Sequence, residues 1–269
     1  MLEISGLHFG YGEREVLRGI DAKLQPGTLC GLFGPNGSGK TTLFKCCLKL
    51  LATPAGTVSI DGRDVAGLSA GDMARRVAYV PQEHDSPFPY LVKEIVLMGR
   101  TPHMGRGLFE IPEADREAVA GALDAVGIGD LADARYDQLS GGQRQLVLVS
   151  RAIAQQTPLI VLDEPTSALD FDNQVRIWRI LHRLAMGGTT VLACSHDPNH
   201  VAWFCDRVLV LDRGRIVVDG SPEVAITETT IRSLYDEACQ VSRINGLPVV
   251  IPGFAGSHRM RAPAAARNR

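Results

Sequence analysis

The stretch Gly34-Pro35-Asn36-Gly37-Ser38-Gly39-Lys40-Thr41-Thr42 decides how the rest of the chain is read. It fits G-x-x-x-x-G-K-[ST], a phosphate-binding loop. Ahead of it, Thr28-Leu29-Cys30-Gly31-Leu32-Phe33 reads as a short buried strand. Behind it, Leu43, Phe44, Cys47, Leu48 and Leu51 fall at helical spacing, which predicts a helix over 41–51. The loop thus lies between a strand and a helix N-terminus, where the helix dipole favours an anion. Its glycines let backbone N–H groups turn inward. Lys40 supplies a point charge for terminal phosphates, and the Thr41 hydroxyl is a candidate Mg²⁺ ligand.

Around this loop the chain has the bulk character of a soluble globule, with 45% hydrophobic and 22% charged residues in 269. A net charge of −2 gives no general attraction to nucleic acid or anionic lipid. The six cysteines lack ligand-like spacing, and several lie in apolar runs, as expected of reduced, buried thiols in a cytoplasmic protein. No apolar run approaches the ~18 residues of a membrane span. Met1-Leu2-Glu3-Ile4 leads directly into strand-like sequence, so no signal peptide is expected.

Residues 2–9 and 16–24 read as two strands turning at Tyr11-Gly12-Glu13. Thr57–Ile60 and Val77–Val80 read as further strands, and together these pieces predict a partly antiparallel layer beside the loop's strand. Residues 83–110 are rich in proline and glycine around a short helix near 91–98. Ile111-Pro112-Glu113 opens a helix with proline at its first position, and Gly127 closes it. Another helix is expected from about Gly142 to Gln155. Leu159–Leu162 is apolar throughout, as in a parallel strand covered on both faces. A helix over 172–185, a strand over Thr189–Cys194 and a short helix capped by Asp197 follow. A hairpin then turns near Gly214, and a helix is expected within 221–240. The basic end from Gly253 reads as disordered.

Two further motifs complete the reading. Leu162-Asp163-Glu164-Pro165 puts two acids at a strand tip. Asp163 is the candidate for Mg²⁺ and Glu164 for accepting a proton from an attacking water. Leu139-Ser140-Gly141-Gly142-Gln143 precedes a helix, so Ser140 and the N–H groups of Gly141 and Gly142 make a second anion site. One phosphate chain cannot easily use two helix N-termini on separate subdomains of one molecule, but a second molecule can bring its own. His196 and His200 are four apart, yet Pro198 and the lack of a nearby third ligand argue against a metal pair.

In this order the motifs resemble those of the ATP-binding-cassette ATPases, over about residues 2–250. The resemblance implies an α/β fold: a P-loop NTPase core with a mixed, mainly parallel sheet, an N-terminal antiparallel β subdomain and an inserted helical subdomain. Its divisions would be a 1–252 ATPase domain, with core at 1–82 and 158–220, helical subdomain at 83–157 and C-terminal extension at 221–252, then a 253–269 tail. Tyr11 matches the aromatic position that stacks on adenine. Gly34, Pro35, Asn36, Gly37, Ser38, Gly39, Lys40, Thr41 and Thr42 match the phosphate loop. Gln82 matches the glutamine that senses Mg²⁺ and the membrane partner, and Ser140–Gln143 the family signature. Asp163 and Glu164 match the Mg²⁺ and catalytic acids. Ser167-Ala168-Leu169-Asp170 matches the D-loop, and His196 the switch histidine. The serine before His196 is commonly threonine in relatives, a departure of little consequence.

The resemblance also implies ATP and Mg²⁺ as ligands, and Glu164, His196, Gln82 and Lys40 as catalytic residues, with Thr41, Gln82 and Asp163 at the metal. It implies a head-to-tail homodimer and membrane permease subunits contacted through about residues 82–100. A substrate-binding protein would take part indirectly, and the chain would sit peripherally on the cytoplasmic face of the inner membrane. Ser86-Pro87-Phe88-Pro89-Tyr90, Ile95–His103, Leu169–Gln174 and Ser195–Asn199 resemble the importer branch for iron-siderophore, haem, cobalamin and related chelates or oxyanions. The alternative is a soluble cassette ATPase acting on DNA or ribosomes. No coiled-coil insertion or second cassette supports it, and the charge gives no nucleic-acid footprint.

Overall fold

Leu2, Ile4, Leu7 and Phe9 are buried while Glu3, Ser5 and His8 are exposed, the alternation a half-covered strand needs. In the computed structural model, which describes residues 1–82, 89–104, 111–167, 169–235 and 239–253, this stretch is β1 (Leu2–Tyr11). β2 (Arg14–Leu24) pairs back on it, and β3 (Leu29–Phe33) then runs into the glycine-rich loop and α1 (Lys40–Cys47). Next come β4 (Ala55–Ile60), β5 (Arg63–Asp64), α2 (Ala70–Ala74) and β6 (Val77–Val80). The helical stretch holds α3 (Val92–Leu97), α4 (Glu113–Val126) and α5 (Gly141–Ala154). It is followed by β7 (Leu159–Leu162), α6 (Phe171–Met186), β8 (Thr190–Ser195) and α7 (Pro198–Phe204). The chain continues through β9 (Arg207–Asp212), β10 (Arg215–Gly220), α8 (Pro222–Ala225), α9 (Glu228–Tyr235), β11 (Cys239–Ile244) and β12 (Leu247–Pro252).

A six-stranded sheet of order β10-β9-β3-β8-β7-β6 forms the centre, parallel except for the β9–β10 hairpin. A four-stranded antiparallel sheet, β2-β1-β4-β5, lies beside it. Side chains alternate along each central strand. Cys30 and Leu32 join Leu159, Val161 and Leu209 in the core shared with α1 and the antiparallel sheet. Leu29 and Phe33 join Ile160, Leu162 and Val210 on the other face, in an apolar cluster that runs without a break into α3, α4, α5 and α6. All six cysteines are free thiols, five of them buried.

The α/β architecture is the one expected, with four local corrections. β6 belongs to the central sheet, parallel to β7, rather than to the antiparallel layer. The helix after the loop stops at Cys47, short of Leu51: Lys49 has φ 56° and the Leu50 and Leu51 N–H groups bond back to the Lys45 carbonyl. Pro112 is the N-cap of α4, one place before the first helical residue. Residues 221–240 hold two short helices, and the chain then forms the β11–β12 hairpin, turning at Asn245 (φ 52°) and Gly246 (φ 84°). The readings of Ser86–Phe88, Gly105, Gly107, Ala168 and the tail beyond Gly253 fall outside the described residues.

Candidate active site

Because β3, β6, β7 and β8 run parallel, their C-terminal ends reach one edge of the sheet, where ligands of open α/β sheets bind. β3 delivers the phosphate loop, β6 delivers Gln82, β7 delivers Asp163 and Glu164, and β8 delivers His196. The loop needs its glycines. Gly39 has φ 111°, and a Cβ on Gly34 would run into the Leu211 carbonyl oxygen. Gly39 is also the N-cap of α1, where no side chain caps the helix and no acid sits in the first turn. The N–H groups of that turn therefore suit an anionic ligand. Ser38 Oγ is buried there with no hydrogen-bond partner, a further donor for phosphate oxygen.

Glu164 is the node of the site. Its side chain, 11% exposed, lies 3.7 Å from Lys40 Nζ and 3.3 Å from His196 Nδ1. Gln82 Nε2 donates to its Oε2 at 3.1 Å. The backbone of Glu164 takes φ 49°, an uncommon conformation for a residue with a side chain and one that recurs at functional sites. Lys40 is 6% exposed and donates to the Gly34 and Pro35 carbonyls at 2.9 and 3.2 Å. Its ammonium is thus held over the loop by groups of its own turn.

Asp163 is 1% exposed, and its N–H donates to the Val80 carbonyl. Cys194 Sγ donates to Oδ1 at 2.9 Å, and the Tyr79 hydroxyl lies 3.5 Å from Oδ2. Burial, reinforced by the adjacent carboxylate, pushes the Cys194 thiol and the Tyr79 phenol well up, so both stay protonated. Among the described residues no cation pairs with this buried carboxylate. A hard divalent cation suits such a buried, cation-free carboxylate.

The sequence reading missed Cys194 and Tyr79. No motif spacing points to them; the register does, since Leu162 pairs with Ala193 and the next residues are Asp163 and Cys194. Tyr11 is 51% exposed, edge-on to Phe9 at 5.0 Å, on the hairpin whose Val16 and Leu17 lie against Gly39. Ser140 and Gln143 are turned toward each other. Gln143 N donates to Ser140 Oγ at 3.3 Å and Ser140 N to Gln143 Oε1 at 3.0 Å, a capping box at the exposed start of α5. Gly142 lies against Asn173 of α6. Among the described residues no hydrogen bond joins this group to the Lys40–Glu164 cluster.

Residues 17–167 match the family described as ABC transporter. Over 259 residues the chain is 38% identical to the hemin import ATP-binding protein HmuV of Pseudomonas entomophila (strain L48), spanning 93% of this chain and 99% of that one. It superposes, with a TM-score of 0.81 and 30% identity over 93% of this chain and 96% of the other, on an inward-facing ABC transporter assigned to the metal-chelate type. A dimeric ATP-binding cassette in a post-hydrolysis state, bound to ADP and Pi, matches with a TM-score of 0.71 and 26% identity, over 82% of this chain and 99% of that one. The chain belongs to the ABC transporter family, as one of its ATP-hydrolysing cassettes.

Proposed function

We propose that this cassette powers a membrane importer for a metal chelate such as haem, and that two copies close on ATP between them. The observation that carries the reading is the convergence of Lys40, Gln82 and His196 on Glu164 at the tips of parallel strands. In this reading Tyr11 stacks on adenine, the N–H groups of residues 34–42 and Lys40 hold the phosphates, and Asp163, Thr41 and Gln82 hold Mg²⁺. The metal, when bound, neutralises phosphate charge. Glu164 accepts a proton from water as the water oxygen bonds to the γ-phosphorus and the bond to the β–γ bridging oxygen breaks. His196 contacts the γ-phosphate. Positioning and charge neutralisation do most of the work.

Ser140–Gln143 lie apart from that cluster on their own helix start, which supports their use against the ATP of a second copy. The match to a dimeric cassette supports the same arrangement. In this reading residues 83–157 form the helical subdomain and permease subunits are met through about residues 82–100, with the chain peripheral on the cytoplasmic face. No helix among the described residues is long and apolar enough to cross a membrane. The match to a hemin import protein along nearly its full length supports import of a chelate, and no observation favours work on DNA or ribosomes. Lys40→Ala tests the reading: it should lose tight ATP binding in a nucleotide titration and abolish chelate uptake in cells. Unchanged ATP affinity would count against the site, and unchanged uptake against the coupling role.

A further inference from the structure

The family match stops at residue 167, and the reading above leaves the C-terminal β11–β12 hairpin without a task. The hairpin is not a loose appendage. Cys239, Val241 and Val250 pack against the main apolar cluster, and β11 lies on α9, whose Tyr235 ring sits 6.1 Å from that of Phe33 at the end of β3. Its second strand, β12, is the element against which α7 packs most extensively. One side chain joins the two. Asn199 Oδ1 accepts from Val250 N–H at 2.8 Å, and Asn199 Nδ2 donates to the Val250 carbonyl at 3.2 Å. A side chain that mimics a strand partner in this way fixes α7 against the hairpin in two directions.

Through its backbone Asn199 is also tied to the loop that carries His196. Its N–H donates to Oδ1 of Asp197, the N-cap of α7, at 2.8 Å. Asp197 N–H donates to Ser195 Oγ at 3.0 Å, and Ser195 Oγ to the Asp197 carbonyl at 3.3 Å, closing a tight loop whose middle residue is His196. The His196 side chain is 51% exposed, and its one side-chain partner among the described residues is Glu164. The imidazole is thus aimed by its backbone, which is held by β8 on one side and by α7 on the other.

We infer that the C-terminal hairpin is a working part of the nucleotide site, and that Asn199 is the positioning residue through which it aims His196. This rests on the proposed role of His196. Asn199→Ala should lower kcat roughly tenfold, since a displacement of about 1 Å at a reacting centre can cost about 10²-fold. KM for ATP should stay within about twofold, because in the proposed function the adenine contact and all the phosphate contacts except that of His196 lie elsewhere. Asn199→Asp, which keeps the acceptor for Val250 N–H, should fall between the two.

The test uses the purified full chain in a cycle with His196→Ala, read by turnover and by hydrogen exchange. Exchange at the Val250 amide reports whether the clamp has opened, and exchange at His196 and Asp197 whether the loop has moved. Asn199→Ala should speed exchange at all three amides, and should cost nothing further once His196 is alanine. Equal losses of turnover in both backgrounds would mean a general structural effect and overturn the inference. So would wild-type turnover with the Val250 amide exposed. If His196→Ala alone leaves turnover unchanged, the role given to His196 fails. The coupling is then decided by exchange alone: faster exchange at His196 and Asp197 in Asn199→Ala upholds it, and unchanged exchange refutes it.

Discussion

Three side chains, from the start of α1 and from just beyond β6 and β8, meet at one carboxylate, Glu164, and the backbone beneath it is held in a left-handed conformation to present it. Replacing it with glutamine keeps the shape and the hydrogen bonds and removes the proton acceptor. Glu164→Gln should therefore retain ATP affinity within a few-fold and lose about 10²–10⁴-fold in turnover, read by titration and steady-state hydrolysis. Near-wild-type turnover would remove Glu164 from the role of base. The neighbouring buried histidine, His200, makes a separate prediction. It is packed 5.8 Å from the Trp178 ring, and burial lowers its pKa below that of an ordinary histidine, with Asp197 opposing and His196 adding to the effect. The unfolded chain then takes up the proton first. The contribution to stability is present above about pH 6.5 and is lost as pH falls toward the lowered folded value. His200→Gln should flatten the fall in Tm between about pH 7.5 and 5.5; an unchanged slope would contradict the assignment. Lys40, Asp163 and Glu164 stood out as candidates from local motifs, and Gln82 and His196 only from the resemblance to the ATP-binding-cassette ATPases. Cys194 and Tyr79 touch Asp163 only through strand pairing, which no local pattern in the sequence reveals.

At the scale of elements, the helical stretch is tied down by a buried ion pair. Arg100, just after α3, donates from Nε to Asp115 Oδ1 in the first turn of α4 at 2.7 Å, and from Nη1 to the Ala154 carbonyl at the end of α5 at 2.8 Å. Their side chains are 8% and 6% exposed. Removing one partner leaves a buried charge alone, so Arg100→Ala should cost about 3–5 kcal/mol in urea unfolding. Arg100→Met combined with Asp115→Leu should recover most of that loss. A double variant as unstable as the single one would show that packing, not the orphaned charge, sets the cost. The sequence announced α4, α5 and α6 well, since each has an apolar face and an end signal. It announced β11 and β12 too, in Asn245-Gly246 flanked by Val241, Ile244, Val249 and Val250, the strongest short hairpin signal. The helical reading of 221–240 took no account of it. β6 was read as a strand but assigned to the wrong sheet, because four apolar-rich residues carry no information about their partner.

For the whole molecule, the decisive feature is the separation of the two helix starts that the proposed function assigns to phosphate binding. α1 opens at the phosphate loop beside Glu164, whereas Ser140–Gln143 cap α5 without a bond to that cluster. In the proposed function a single copy presents two half-sites, which a second copy joins across ATP. Sedimentation velocity of Glu164→Gln with saturating Mg²⁺ and ATP tests this most directly, since that variant should hold its nucleotide without turning it over. The expected species is a dimer that returns to monomer when ATP is withdrawn or in Ser140→Arg. A species that stays monomeric at saturating ATP, while nucleotide titration shows the site filled, would contradict it.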